Sequence, residues 1–407
     1  MSLLTDVDDR IEQAREAPGC SSELHWTSFA EFFRSRLYDP RLVTRNFLTY
    51  CDDDRNLRRT YSYAEFGTIV ERMAEMFHAK FGLTRGDRIA TVLFNHDLTA
   101  LTYFAAWTLG VAVVPINVEE TPEKKRYILE HSEASVALCW QDVYEELNAL
   151  QSILPALREV VALGDGGILD GKETRGKSRK NSHAVGARFA PGTSRLDDPA
   201  LIIYTSGTTG PPKGVILTVA NLLIDADAIA DRHGFGLTDR LMCVLPVHHV
   251  NGIVVTLMTP FYCKGSVVLN RKFKTGSFWR RLHEEQVTSV SVVPTLLEFL
   301  LDADEDLAAY RLDRFGGVIC GAGPLLKDTA LRFEERFGFP IRHGYGLSET
   351  TCYSCFLPND LTQEEHRHWL TDFDFPSIGT ALRHNEMAIL DESGKAVAEQ
   401  ARGEICI

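Results

Sequence analysis

The sequence has no apolar run that approaches the roughly 20 residues needed for a membrane-spanning helix. It also lacks a secretory signal, because its first residues, MSLLTDVDDRIEQ, are too acidic and polar. Its nine cysteines are scattered and odd in number, so they do not suggest a disulfide framework. We therefore expect a cytoplasmic protein with free thiols and no membrane span.

Basic charge is also scarce, since 43 Lys and Arg residues face 56 Asp and Glu residues and leave a net charge of −13. A general nucleic-acid binder would show a basic surface, so we expect no nucleic acid as a partner. The 407 residues exceed one ordinary domain, and the hydrophobic fraction of 44% is normal for a soluble globular protein. The chain is therefore long enough to bury large cores.

Predicted strands and helices alternate along the chain from residue 62. Ser62 and Glu65 have the spacing of a capping box at the start of a helix. Apolar runs predict two series of strands, at 90–94, 111–115 and 136–140, and then at 241–247, 266–270, 289–293 and 317–320. This alternation predicts an α/β fold with two doubly wound subdomains of parallel βαβ units.

We expect the first α/β subdomain, with an N-terminal extension, to cover residues 1–195 and the second to cover 196–370. Residues 371–407 predict the beginning of a small β-rich subdomain. The stretch at about 164–198 is rich in Gly, Ser and charge, and it predicts an exposed, partly disordered connection. Its KSRK cluster is either a contact for an acidic partner or, as the simpler alternative, a solvated linker.

The most informative stretch is YTSGTTGPPKG at 204–214, which follows the apolar run 201–204. Its glycines let backbone N–H groups turn toward an anion, its hydroxyls add donors, and Lys213 adds a point charge suited to phosphate. A plain surface turn is the alternative, because Gly, Ser, Thr and Pro also make turns. The Walker pattern is excluded, since Lys213 is followed by Gly214 and an apolar run rather than by Ser or Thr and a helix.

A second informative stretch is HGYGLSETT at 343–351. Tyr345 offers an aromatic face to a purine, Ser348 and Thr350 can donate to a phosphate, and Glu349 is an oxygen ligand suited to Mg²⁺. Just after it, Cys352 and Cys355 form a CxxC pair, which cannot close a four-ligand zinc site by itself. We interpret that pair as a coincidence of spacing.

Two shorter stretches follow predicted strands, where open α/β sheets bind ligands. LPVHHVNG at 245–252 carries a His pair with no nearby Cys or Asp to complete a metal site, so the alternative to a functional role is a polar turn. GAGP at 321–324 has small residues that let a flat ring lie against the backbone, and it is equally compatible with a tight strand-to-helix turn.

Together these four stretches resemble the signature motifs of the adenylate-forming superfamily, which holds acyl-CoA synthetases, luciferases and peptide-synthetase adenylation domains. The segment at 245–252 is similar to the acyl-CoA synthetase branch. Peptide-synthetase domains carry an Asp there that pairs with the substrate's amino group, and this chain has none, which disfavours an amino-acid substrate. The turn at 377–380 also resembles a family motif, although Ala381 stands where a proline is usual.

The resemblance implies the roles of the site residues. ATP or AMP would be bound by the loop and by the two later motifs, at Thr205, Ser206, Gly207, Thr208, Thr209, Gly210, Lys213, Gly321, Ala322, Gly323, His343, Gly344, Tyr345, Gly346, Ser348 and Thr350. The acyl pocket would include His249, Asn251, Thr295, Gly321 and Gly346. Thr205, Lys213, His249 and Glu349 would be the catalytic residues, with Glu349 holding Mg²⁺.

The resemblance also implies a reaction in two steps, in which a small carboxylic acid attacks ATP to give an acyl-adenylate and CoA then displaces AMP. One alternative is an enzyme that loads the acid onto a carrier protein, and another is a non-catalytic nucleotide-binding relative. The chain stops inside a predicted strand, ahead of the family's adenylation lysine and small C-terminal lid domain. We therefore expect a truncated N-terminal core with little activity; the sequence indicates neither the acid nor the oligomeric state.

Overall fold

The computed structural model describes residues 24–164, 167–168, 194–205, 210–399 and 401–407. Most of the predicted connection at 164–198 and the loop residues Ser206, Gly207, Thr208 and Thr209 lie outside this described part. Within it, no helix combines the length and the apolar character that crossing a bilayer requires.

The strands, in chain order, are β1 (Asn46–Asp52), β2 (Leu57–Ser62), β3 (Arg88–Val92), β4 (Ala112–Ile116), β5 (Val136–Trp140), β6 (Glu159–Gly164), β7 (Gly167–Ile168), β8 (Pro199–Thr205), β9 (Lys213–Thr218), β10 (Arg240–Cys243), β11 (Ser266–Asn270), β12 (Ser289–Val292), β13 (Val318–Cys320), β14 (Ile341–Tyr345), β15 (Cys355–Phe356), β16 (Thr380–Ala381), β17 (Ala388–Leu390) and β18 (Glu404–Cys406).

The α-helices are α1 (Phe29–Leu37), α2 (Tyr63–Phe81), α3 (Asp97–Thr108), α4 (Pro122–Ser132), α5 (Tyr144–Asn148), α6 (Val219–His233), α7 (Thr259–Tyr262), α8 (Thr275–Glu284), α9 (Pro294–Asp302), α10 (Lys327–Phe337) and α11 (Gln363–Thr371). Short 3₁₀ turns are found at Gln141–Val143, Ala149–Ser152, Leu307–Ala309 and Ser348–Thr350, and a π-helical segment at Asn251–Met258 leads into α7.

Local sequence explains where several helices begin. The Ser62 hydroxyl accepts a hydrogen bond from Glu65 N while the Glu65 carboxylate accepts one from Ser62 N, which completes the predicted capping box of α2. Thr218 and Asn221 form the same arrangement at α6. Helix α10 begins at Lys327, three residues after Pro324, because the GAGP turn extends beyond its proline.

The strands of the described residues form two large sheets and one small pair. The seven-stranded sheet has the order β7-β6-β5-β3-β4-β8-β9, and the nine-stranded sheet has the order β16-β15-β14-β13-β12-β10-β11-β1-β2. The inner strands of both sheets run parallel, and the outer strands β2, β7, β9, β15 and β16 pair antiparallel. Strands β17 and β18 form a separate antiparallel pair.

The division of strands between the sheets differs from the expected boundary at residue 195. Strands β1 and β2 precede that boundary but join the nine-stranded sheet, where β1 pairs with β11 from Leu48 opposite Val267. Strands β8 and β9 follow it but join the seven-stranded sheet, where Leu201 lies opposite Val113 of β4. Each sheet thus contains strands from both sides of the expected boundary, because pairing between distant strands does not follow chain order.

Buried aromatic side chains connect these sequence-distant segments. Phe47 of β1 and Phe104 of α3 pack against Phe261 of α7, with the ring centroids of Phe47 and Phe261 5.0 Å apart, and Phe29 of α1 packs against Phe104. All four side chains are fully buried. This cluster holds β1 against the segments around residue 261 and thereby fixes its place in the nine-stranded sheet.

Candidate active site

The motif residues gather at one edge of the nine-stranded sheet. Strands β10, β12, β13 and β14 are parallel, so their carboxyl ends meet at the same edge. The segments predicted to carry function follow these ends directly, at 244–252, 293–295, 321–324 and 346–351. Strand β10 ends at Cys243, earlier than predicted, and the residues after it leave the sheet to form part of the site.

The glycine-rich loop connects two antiparallel strands. Its ends are held together, because Thr205 of β8 is paired with Lys213 of β9. Gly214 faces Tyr204, and a Cβ at Gly214 would lie 3.2 Å from the Tyr204 ring. The apolar runs on either side of the loop therefore form an antiparallel hairpin.

Helix α4 supports this loop through two side chains that the sequence analysis did not single out. Tyr127 donates a hydrogen bond to Pro212 O at 3.1 Å, and His131 lies 2.8 Å from the Tyr204 hydroxyl through its Nδ1. Tyr127 and His131 are four residues apart and therefore lie on one face of the helix. Their spacing could have predicted that they share a helix face, but nothing in the sequence indicated which segment this face would contact.

The motif at 343–351 is shaped by close backbone packing. A Cβ at Gly344 would lie 2.3 Å from the Phe356 ring, and one at Gly346 would lie 1.9 Å from Cys352 O. Thr351 adopts a left-handed φ of 76°, an uncommon conformation for a residue with a β-branched side chain. Packing therefore requires glycine at Gly344 and Gly346, in addition to any requirement of a ligand.

The short helix Ser348–Thr350 contacts strand β9, so the glycine-rich loop and the second motif meet in space. Thr350 Oγ1 accepts hydrogen bonds from Leu347 N at 3.0 Å and from Ser354 Oγ at 2.9 Å, and it donates one to Leu347 O at 3.2 Å. The hydroxyl predicted to donate to a phosphate is thus already used within the motif. Ser348 has no such bond among the described contacts.

Lys213 and Glu349 project into solvent near this meeting point. Neither side chain has an ion pair or hydrogen bond with any described residue, so both charges are available to a ligand. Mg²⁺ usually keeps several waters and is held by one or two carboxylates together with substrate phosphates. The single exposed carboxylate of Glu349 fits that requirement.

The turn after β13 is strained and closely packed. Ala322 has a left-handed φ of 59°, which costs an L-residue about 1–2 kcal/mol. A Cβ at Gly321 would lie 2.5 Å from the Tyr353 hydroxyl and 2.8 Å from Gly344 O. Backbone strain of this kind is often found at ligand sites.

A cavity of about 360 Å³ opens between these turns. It is lined by Leu245, Pro246, His249, Val250, Asn251, Val293, Ala322, Gly346, Leu347, Ser348, Cys352 and Tyr353. Residues predicted separately for the acyl pocket and for the nucleotide thus share one cavity. Such a concave site with a few convergent polar groups is typical of small-molecule binding.

Some predicted residues lie elsewhere. Thr295 is exposed on α9 and is not among the residues that line the cavity. His343 is buried, and its Nδ1 is bonded to Ser377 O at 2.9 Å, so it holds the turn at 377–380 rather than facing the cavity. Burial lowers the pKa of His343, although the bond to the Ser377 carbonyl acts in the opposite direction.

The inner end of the cavity is a buried polar cluster, of which the sequence analysis had singled out only Asn251. Ser291 Oγ donates to Asn251 Oδ1 at 2.7 Å, and Asn251 Nδ2 donates to the Tyr353 hydroxyl at 3.2 Å. Cys352 and Tyr353 lie in the CxxC segment, whose cysteine spacing we interpreted as a coincidence. Their position directly after the second motif was the available signal for a pocket wall.

A larger cavity of about 730 Å³ adjoins the first. The two share Leu245, Pro246, His249 and Val293, so the His249 ring lies between them. Desolvation by the surrounding protein lowers the pKa of His249, and burial lowers the pKa of His248 to about 3. Both rings are therefore neutral at physiological pH.

Comparison with known families and proteins agrees with this geometry. Residues 44–407 match the family described as AMP-binding enzyme. The chain is 31% identical over 334 residues to a sulfoacetate–CoA ligase of Cupriavidus necator, which covers 81% of this chain and 61% of that protein. It is 27% identical over 364 residues to a crotonobetaine/carnitine–CoA ligase of Escherichia coli O9:H4, covering 88% of this chain and 66% of that protein.

The fold has a counterpart among solved structures. The ATP-bound crystal structure of MatB from Rhodopseudomonas palustris has a TM-score of 0.76 and 24% identity, covering 93% of this chain and 69% of that chain. This likeness confirms the predicted α/β fold class. The chain spans 61% and 66% of the length of the two curated relatives. The match over residues 44–407 shows that the chain belongs to the AMP-binding family of adenylate-forming enzymes.

Proposed function

We propose that the protein of which these residues are a part activates a small carboxylic acid with ATP and transfers the acyl group to CoA. The observation that carries this proposal is the meeting of strand β9, which begins at Lys213, with the Ser348–Thr350 helix beside the 360 Å³ cavity. A phosphate-binding loop, a purine-binding motif and a cavity for an acid are needed at one place for adenylate formation. The names of the curated CoA ligases support the same activity.

In the first step the acid's carboxylate attacks the α-phosphate of ATP, and pyrophosphate leaves. The difficulty is the approach of one anion to another, which donors aimed at the phosphates offset. Lys213, Thr205 and Gly210, with the loop residues between them, would hold the outer phosphates. Ser348 lines the cavity and would donate to the phosphate that receives the acyl group.

Adenine would lie against Tyr345 and the turn at 321–323, where the absence of large side chains leaves the backbone accessible. Mg²⁺ bound at Glu349 would neutralise phosphate charge. His343 and Thr350 then act by holding the turn at 377–380 and the motif itself, since both already bond within the protein.

In the second step CoA thiol displaces AMP from the acyl-adenylate. The larger cavity reaches the smaller one beside His249, so it offers the thiol a path to the acyl carbon. Arg55, Arg271 and Lys272 line that cavity and are suited to the phosphates of CoA. We also propose a cytoplasmic location, because every cysteine of the described residues is a free thiol.

The test uses the full-length protein that contains this sequence. We expect acid-dependent exchange of pyrophosphate into ATP and acid-dependent AMP release with CoA. Lys213→Ala should lower both by about 10- to 1,000-fold, as the loss of one charge-stabilising donor does elsewhere, while Lys80→Ala on the remote surface of α2 should not. Absence of exchange with every acid tested would contradict the proposal, and exchange with transfer only to a carrier protein would replace CoA as the acceptor.

A further inference from the structure

We propose that the 360 Å³ cavity accepts a short acyl group without charge at its far end, and that Tyr353 sets the length limit. This inference rests on the proposed function, because it names the class of acid that the same site takes. The inference follows from two observations: the Tyr353 side chain closes the cavity, and the described residues that line it carry no charged side chain.

Tyr353 closes the cavity and is held from several sides. Its side chain is 2% exposed, and its ring packs on Phe356 with centroids 4.2 Å apart. Asn251 bonds its hydroxyl, and Gly321 leaves space for that hydroxyl which any Cβ would fill. A ring fixed in this way cannot swing aside for a long chain without breaking the Ser291–Asn251–Tyr353 hydrogen bonds.

No Lys, Arg, Asp or Glu side chain is among the described residues that line this cavity. A second anionic group on the acid would therefore meet no cation at the far end, and a cationic group would meet no carboxylate. Burying an unpaired charge is strongly unfavourable, whereas an apolar end or a neutral hydroxyl can be accommodated. The Tyr353 hydroxyl and the Asn251 amide offer neutral hydrogen bonds only.

The carboxyl group of Asp225 of α6 is buried next to the Tyr353 backbone, but Asp225 is not among the residues that line the cavity. Asp225 is 6% exposed and accepts a hydrogen bond from Tyr353 N, while its Oδ2 has no partner in the described part of the chain. Burial raises the pKa of Asp225 well above its ordinary value, which favours the neutral form of the carboxyl group. It lies behind the backbone at 352–353 rather than in the cavity wall.

Charged side chains are instead found in the larger cavity. Asp52, Asp54, Arg55, Glu119, Arg271 and Lys272 line it. His249 lies between them and the smaller cavity. The charged side chains therefore line the larger cavity, which is proposed for CoA, and the smaller cavity, which is proposed for the acyl group, has a neutral lining among the described residues.

The test measures binding by the 407-residue chain, which needs no turnover. The probes are N-acylsulfamoyl adenosines, stable mimics of an acyl-adenylate, measured by titration calorimetry. The acyl groups are butanoyl, 3-carboxypropanoyl, 3-sulfopropanoyl, 4-ammoniobutanoyl and decanoyl, and AMP serves as the reference for the nucleotide. We expect butanoyl to bind at least about 100-fold more tightly than each charged probe, and at least about 10-fold more tightly than decanoyl.

Tighter binding of either anionic probe, or of the ammonium probe, than of butanoyl would overturn the charge part of the inference. The ammonium result would also assign Asp225 as its ionised partner. Decanoyl binding as tightly as butanoyl would overturn the length limit. If neither AMP nor any probe binds to the folded chain, the proposed function fails rather than this inference.

Variants of Tyr353 test the residue itself. Tyr353→Ala should bind decanoyl at least about 10-fold more tightly than the parent does, while Tyr353→Phe, which keeps the ring, should keep the parent's preference for butanoyl. Tyr38→Ala, at an exposed tyrosine, should behave as the parent. If Tyr353→Ala does not fold, Tyr353→Leu is the smaller change, and an unchanged length preference in a folded Leu variant would contradict the assignment.

Discussion

At the scale of single residues, glycines of the same chain differ sharply in what surrounds them. A Cβ at Gly346 would lie 1.9 Å from Cys352 O, whereas a Cβ at Gly276 of α8 would meet nothing within 4 Å. We expect Gly346→Ala to lower the free energy of unfolding by about 1–3 kcal/mol through overpacking, and to abolish binding of acyl-adenylate mimics. Gly276→Ala is the matched control and should be neutral or slightly stabilising, because alanine favours helix.

Chemical denaturation of both glycine variants and calorimetry with the butanoyl probe check this prediction. Equal stability of the two variants would contradict the packing argument. A stable Gly346→Ala protein that still binds the probe would show that Cys352 can move, and would weaken the case for a fixed cavity wall.

The sequence was most informative about the chemistry of single residues. Lys213 and Glu349, which were predicted to act on ATP, are both exposed, and the segments that carry them are in contact. His249 and Asn251, which were predicted for the acyl pocket, line the 360 Å³ cavity. The role of Thr295 could not be judged from a motif, because it depends on which way α9 turns its first residues. Cys352 and Tyr353 were missed because the CxxC spacing was set aside as a coincidence and the position of the segment directly after the second motif was not considered.

At the scale of elements, helix α6 braces the antiparallel strands that support Tyr345. Arg232 donates to Phe356 O at 3.1 Å, to Thr380 Oγ1 at 3.0 Å and to Ala381 O at 2.7 Å. Strand β15 in turn pairs with β14 at Tyr345, opposite Cys355. A single guanidinium therefore connects the helix after the glycine-rich loop to the strands behind the second motif.

We expect Arg232→Ala to lower the free energy of unfolding by about 2–4 kcal/mol, because it leaves several acceptors without partners. AMP binding should weaken as the support of Tyr345 loosens. The control is Arg126→Ala, whose exposed guanidinium is 4.0 Å from Glu130, and it should cost less than about 0.5 kcal/mol. Denaturant titration of both variants measures the two losses in the free energy of unfolding. Equal losses would show that the hydrogen bonds of Arg232 contribute no more to stability than a surface ion pair.

The starts of helices could be predicted from local sequence signals. The segments that these helices contact could not be predicted in this way. Capping residues fixed the starts of α2 and α6, since a cap acts on the next three residues only. The support of the glycine-rich loop by Tyr127 involves a contact across 85 residues of sequence. No short pattern carries that information.

At the scale of the whole molecule, buried titratable groups link stability to pH. Burial lowers the pKa of His233 well below its ordinary value, and the nearby Arg342 and Arg232 act in the same direction. Both of its ring nitrogens lack partners among the described residues, and the ring packs on Phe356 at 4.5 Å. Below the unfolded pKa of about 6.5 the unfolded chain therefore binds a proton that the folded chain does not.

This histidine should make stability fall by about 1.4 kcal/mol per unit as pH decreases below about 6.5. The raised pKa of Asp225 contributes a slope of opposite sign above about pH 4, so the two partly cancel in the parent. The informative quantity is thus the difference between the parent and His233→Phe, measured by urea unfolding at pH 5, 6 and 7. A variant with the same pH slope as the parent would refute a neutral buried His233, and His25→Asn, at an exposed histidine, is the control.

The pairing of β1 with β11 has a consequence for how the chain is made. Leu48 leaves the ribosome long before Val267, its partner in the sheet. At synthesis rates of about 5–20 residues per second, the β1–β2 hairpin waits about 10–45 s for its neighbour. Throughout that time the edge of β1 that will pair with β11 has no partner strand, and an open edge of this kind exposes the nascent N-terminal segment to aggregation.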